Sequence, residues 1–250
     1  MGHAMRKLLV ALTFVVLAVV AVLGWMRPRE AASPAPVAAT PTPSPTPNLS
    51  AKDRLAAAVA VAFKDGRART DEGGQRYTFD DDKLVDTPFG PVLISEGSVV
   101  DPGHASAGRI DIAYLRAEGT GFALVRNYPA AAIAGSFGRL SGWQVDDRFA
   151  GMPTLRTEGG FTGQGITCSA VVLTELRPTG PVEMAQVPIG VDNTGSGLPG
   201  ADDSVEGSFT DIRRNQGFAV RYSGSKAFTD RWERKGDRYV LAGPSQVPEC

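Results

Sequence analysis

The sequence predicts an all-β or mostly β domain of antiparallel hairpins, sandwich or barrel-like, with one amphipathic helix at its N-terminal end and a single transmembrane helix before that. Three observations carry the prediction. An uncharged apolar stretch lies near the N-terminus, a proline-rich stretch follows it, and beyond residue 75 the chain breaks into short apolar runs separated by Gly, Pro, Asn and Asp.

Residues 8–26 read LLVALTFVVLAVVAVLGWM, which as a helix rises about 28 Å, close to the hydrocarbon thickness of a bilayer. Arg6 and Lys7 precede it and Trp25 ends it, where an indole favours the headgroup region. The run is longer than a signal-peptide core, and Trp25, Met26 and Arg27 do not form a small-x-small cleavage site, so the segment reads as an uncleaved anchor. Arg27 and Arg29 weaken the charge contrast across the helix. The short leading tail, 1–7, and the extracytoplasmic character of the downstream chain therefore set the orientation: N-terminus inside, the rest outside. No cysteine lies close enough behind the apolar run for a lipid anchor. The expected location is the cell inner membrane, single-pass, with the domain in the periplasm or outside the cell.

The linker, 27–49, contains AASPAPVAATPTPSPTP, in which proline at alternate positions fixes φ and removes donors. A polyproline II spacer of this kind holds a domain some 50 Å away at about 3.1 Å per residue. The domain occupies 50–250. Ser50 with Asp53 supplies an N-cap and an acidic first turn, and Leu55, Val59, Ala62 and Phe63 form one stripe, so a helix is expected over 51–64 with Gly66 as its stop.

Strand pairs come next. Ile110, Ile112 and Tyr114 alternate with polar or small residues, turn at Glu118-Gly119-Thr120-Gly121 and return through Phe122, Leu124 and Val125. A second pair runs over 166–176 and 182–191 around Pro178-Thr179-Gly180-Pro181; a third runs over 205–212 and 218–222 around Asn215-Gln216-Gly217, and is continued by 228–233 and 239–241. Asp80-Asp81-Asp82 reads as a solvated acidic turn, and 129–134 as one helical turn.

A net charge of −1 without a basic face gives no electrostatic case for nucleic acid. The only cysteines, Cys168 and Cys250, can pair only with each other, and an exported domain keeps such a bond. His3 precedes the anchor, which leaves His104 as the domain's one histidine; a triad with Asp101 and Ser98 or Ser106 lacks its surrounding motif, and one histidine makes no zinc site. Asp192, Thr194, Ser196 and Asp203 form a weak calcium-loop candidate, with hydroxyls where carboxylates are usual. Ser223 and Lys226 match Ser-x-x-Lys only in a hairpin context, and the glycines of 158–165 lack the lysine of a phosphate loop. No cofactor is expected.

These features favour a non-enzymatic binding module with an envelope protein or a glycan as partner, a surface being sought near 158–165 and Trp143. A hydrolase working through carboxylates such as Asp146, Asp147 and Glu158, and a structural component of an envelope assembly, are the competing expectations.

Overall fold

The computed structural model describes residues 49–199 and 201–250; the expected membrane segment 8–26 and the tether, up to residue 48, lie outside them. Among the described residues no helix is long and apolar enough to cross a membrane.

Helix α1, Ala51–Ala62, starts where the Ser50 hydroxyl accepts the Asp53 N–H at 3.2 Å. It stops before Gly66 because Phe63 leaves the helix to bury itself against Phe79, their ring centroids 5.3 Å apart. Ala58, fully buried, sits at the centre of the stripe that packs onto Phe79, Leu93, Ala113 and Leu115.

The rest is strand. A five-stranded antiparallel sheet takes β1 (Ala68–Thr70), β2 (Arg76–Thr87), β3 (Gly90–Val99), β4 (Gly108–Glu118) and β5 (Gly121–Ala134) in chain order. An eight-stranded antiparallel sheet takes β6 (Gly142–Asp146), β7 (Thr154–Gly163), β8 (Ile166–Arg177), β9 (Gly180–Asp192), β10 (Ser204–Arg213), β11 (Gly217–Gly224), β12 (Phe228–Lys235) and β13 (Arg238–Leu241). Sequence neighbours are spatial neighbours throughout, so tight turns set the register of each pair.

Two readings change. Asp80-Asp81-Asp82 is not a turn but the middle of β2, with a bulge between Phe79 and Asp81. Tyr77 and Phe79 bury on one side of that strand, while Asp82 meets Arg67 Nη2 at 2.7 Å and the Ser95 hydroxyl, so the acidic run is satisfied inside a sheet. Residues 129–134 continue β5 instead of forming a helical turn. The Ala130 N–H donates to Asp111 Oδ1 at 2.9 Å, and that carboxylate, itself against buried Arg109, pins the strand at the bulge opposite.

The two sheets meet through a shared core that includes Ile94, Ile110, Ile112, Leu155 and Leu176. Tyr114 and Tyr128 of the first sheet donate to the Arg177 and Thr179 carbonyls, at 2.8 and 3.2 Å, gripping the β8–β9 turn. At Gly159 an added Cβ would lie 2.2 Å from the Gly135 nitrogen, so only glycine allows β7 to come this close to the end of β5. The second sheet has its own aromatic core around Phe149, Phe218, Tyr222 and Tyr239. Glu175 is buried beside it, and burial alone would raise its pKa; hydrogen bonds from Arg177, Arg234 and the Met152 N–H outweigh that and hold it below the ordinary value.

Cys168 on β8 and Cys250 are disulfide-bonded across 82 residues, and Val247 packs on the aromatic core. In the chain-entropy model a loop of that length is worth about 4 kcal/mol. Cys250→Ser is therefore expected to lower stability by about 2–4 kcal/mol, read as a lower urea midpoint. An unchanged midpoint would show that the tail contributes nothing.

Candidate functional site: a polar trough

β6 is the short edge strand at which the eight-stranded sheet comes up against the first sheet, and three depressions join around it. The widest, about 700 Å³, lies over β7–β11. A neck of about 260 Å³ is bounded by Trp143, Gln144, Arg156 and Glu158, and a third depression of about 610 Å³ reaches Asp80, Asp81 and Glu96 on β2 and β3. Adjacent parts share lining residues, Arg156 and Glu158 at one junction and Gly142 and Trp143 at the other, so the three follow one another as a trough bent around the β6 edge, with Trp143 on the face turned to the first sheet and Arg156 and Glu158 on the opposite face.

At the wide end the lining is hydroxyl-rich, with Thr167, Ser169, Ser204, Ser208 and Ser223. Arg156 lies 4.8 Å over the Phe209 ring and 3.5 Å from Glu158 Oε2, so the cation is held flat by an aromatic and a carboxylate together. Glu206 pairs across the strands with Ser223 on one side and Gly190 on the other. A side chain at Gly190 would run into the Ser169 hydroxyl, so glycine keeps the trough open there.

The narrow end is acidic by register. Asp81 and Glu96 are direct cross-strand partners, a like-charge placement that costs stability, and the bulge before Asp81 sets its direction. Trp143 Nε1 donates to Asp81 Oδ2 at 2.9 Å and the Leu140 N–H donates to Glu96 Oε1 at 3.1 Å. Burial pushes the Glu96 carboxyl above its ordinary value; the Leu140 N–H opposes this, Asp81 and Asp80 add to it, and the nearby indole N–H pulls part of it back.

The residues singled out from sequence divide: Glu158, Asp192, Ser223 and Trp143 are among those that line the trough, and most of the others lie elsewhere. Asp146 is buried and held low by the hydrogen-bonded guanidinium of Arg148, which outweighs its burial. Asp146 pairs with Thr154 while Glu158 pairs with Gly142, four ladder steps or about 13 Å away, so these two do not form a dyad. Asp147 is exposed in the following turn. Asp192 Oδ1 accepts from the Thr194 N–H and hydroxyl, which lowers its pKa, and Ser196 Oγ accepts from the Leu198 N–H. Lys226 Nζ sits 2.6 Å from Asp203. Several oxygens of that loop thus already accept from donors of the chain itself, and Lys226 pairs with Asp203. The Ser106 hydroxyl accepts from the Gly103 N–H, and His104 is exposed, edge-on to Phe137 and Phe161 at 4.7 and 5.4 Å. Trp143 does line the trough; the glycines of 158–165 serve backbone approach, Gly165 lying against Gly195 as Gly159 lies against Gly135. Sequence reasoning misses Asp81 and Glu96 as a pair, since a triple-Asp run carries a turn signal and nothing local marks its cross-strand partner.

Because its raised pKa makes Glu96 favour the proton in the fold, its contribution to stability is fullest below the ordinary Glu value of 4.5 and is lost as pH rises through the folded value. Glu96→Gln is expected to stabilise the protein at pH 7 by about 0.5 kcal/mol, with the gain vanishing in acid. A destabilised variant at pH 7 would mean that a cation, such as Arg139 of the same lining, holds the carboxylate charged. Neither a protein-family model, nor a curated protein, nor a solved structure matches the chain, so its function has to be argued from the trough.

Proposed function

We propose that this chain is a single-pass inner-membrane protein, N-terminus inside, whose sandwich-like β domain works in the periplasm or outside the cell as a non-enzymatic binding module. Segment 8–26 is its anchor, 27–49 its spacer and the trough its binding surface. The observation that supports this reading is the open, polar character of the adjoining depressions around β6: it suits an extended partner better than a small molecule, which an enclosed and mainly apolar pocket would bury.

Full-length protein solubilised from membranes is expected to retain a component of envelope extract, and Arg156→Ala combined with Glu206→Ala is expected to reduce retention by about tenfold with unchanged thermal stability. Recovery in the soluble fraction would remove the anchor from the proposal, and equal retention by the double variant would remove the trough.

A second reading has a specific observation behind it. Asp81 and Glu96 face each other on adjacent strands, a placement that brings two carboxyl groups to one spot as glycoside hydrolysis requires, and Glu96, whose pKa burial raises, is the member suited to act as the acid. In that case the protein would release reducing ends from a polysaccharide, and Glu96→Gln and Asp81→Asn would each abolish the release. Release surviving both substitutions would exclude the pair as its source.

A further inference from the structure

The trough's chemistry discriminates among extended partners. Its walls carry six carboxylates (Asp80, Asp81, Glu96, Glu158, Asp192, Glu206) against three guanidiniums (Arg139, Arg148, Arg156), a formal charge of −3. Such a surface repels a polyanion and draws an ammonium group toward the narrow end. The wide end presents hydroxyls, each able to donate and accept, which matches the dual character of sugar hydroxyls. Between them lie the Arg156–Glu158 pair and the half-buried Trp143. The first offers a planar donor fork beside an acceptor for the hydroxyl edge of one sugar, and the second, on the opposite face of β6, an aromatic wall for another next to the acidic end.

A protein partner fits less well. Interface centres rely on apolar and aromatic anchors, but Ile189, Val191 and Val205 in this lining are at most 7% exposed, and the Phe209 ring is covered by Arg156. The large apolar side chains that are exposed, among them Val125, Ile133, Phe137 and Leu198, lie outside the trough.

We infer that the trough takes a polysaccharide strand that is neutral or amine-bearing, its hydroxyls read by the serine- and threonine-lined wide end and by the Arg156–Glu158 pair, and its amines by the Asp81–Glu96 end. This rests on the reading of the trough as a binding surface and names its ligand class.

The test is calorimetric titration of detergent-solubilised full-length protein with three hexasaccharides of matched length: N-acetylated chitin, deacetylated chitosan and anionic hyaluronan. Chitin and chitosan hexamers are expected to bind, with hyaluronan weaker by about tenfold at low salt. Arg156→Ala with Glu158→Ala should weaken both binders by about fivefold or more. Asp81→Asn with Glu96→Gln should weaken chitosan alone, leaving the chitin affinity in place and the thermal midpoint no lower. Hyaluronan binding as tightly as chitosan, or affinities indifferent to the Arg156–Glu158 change, would overturn the inference. If no hexamer binds while the trough still retains an envelope protein, the ligand class is wrong and the binding module stands; if neither is retained, both fall.

Discussion

The contact on which the rest depends is the seam between the two sheets. A meander of hairpins fixes each strand against its neighbour but says nothing about how one sheet lies on the other. Here that relation is set by a few long-range contacts: the apolar core of Ile110, Ile112, Leu155 and Leu176, the two tyrosine hydroxyls on the β8–β9 turn, and the backbone approach that Gly159 permits at Gly135. Without them Trp143 would not reach Asp81 and the trough would be two unrelated surfaces. Burial of those aliphatic side chains supplies the attraction, at about 25 cal/mol per Å² of apolar surface, while the tyrosines and the glycine supply direction.

The seam also explains why an unfavourable pair persists. Asp81 opposite Glu96 is a like-charge placement on adjacent strands, and each carboxylate is held by a donor from beyond its own hairpin, the Trp143 indole in one case and the Leu140 N–H in the other. The Leu140 N–H holds the connection from β5 to β6 against β3, and the Trp143 indole ties β6 to β2. Removing charge repulsion would have been simple in a strand whose only role was to pair, since the position faces an open depression and not the core. Local cost concentrated at a cleft is the pattern expected where a surface has a use.

How much of this is legible in the sequence depends on where the signal sits. The hairpins β4–β5, β8–β9 and β10–β11 announce themselves locally, through alternating apolar residues and through Gly119, Pro178-Thr179-Gly180 and Asn215-Gln216-Gly217 at their turns. The pairing of Cys168 with Cys250 is legible for the simplest reason, that no other partner exists. Strands β2 and β3 are hidden because Asp80, Asp81 and Asp82 interrupt one and Gly97 the other. Asp82 is tolerated through Arg67 and Ser95, and Gly97 because the Phe79 ring lies where its Cβ would be. Neither compensation can be read before the register is known. The trough is hidden more deeply still, since Trp143 and Asp81 are 62 residues apart and on different sheets.

On the proposed reading, the tether and the trough answer the same physical requirement. A rigid, enclosed pocket would serve a diffusing ligand wherever the protein floated, and would gain little from being held at a fixed height. An open trough makes many individually weak polar contacts, each worth about 1 kcal/mol or less after exchange with water, so its occupancy depends strongly on the local concentration of the partner. On that reading, confining the domain to the layer that holds its partner raises that concentration without any new contact. Anchor, spacer and shallow polar site then form one device, in which tethering supplies the occupancy that the trough's own chemistry does not.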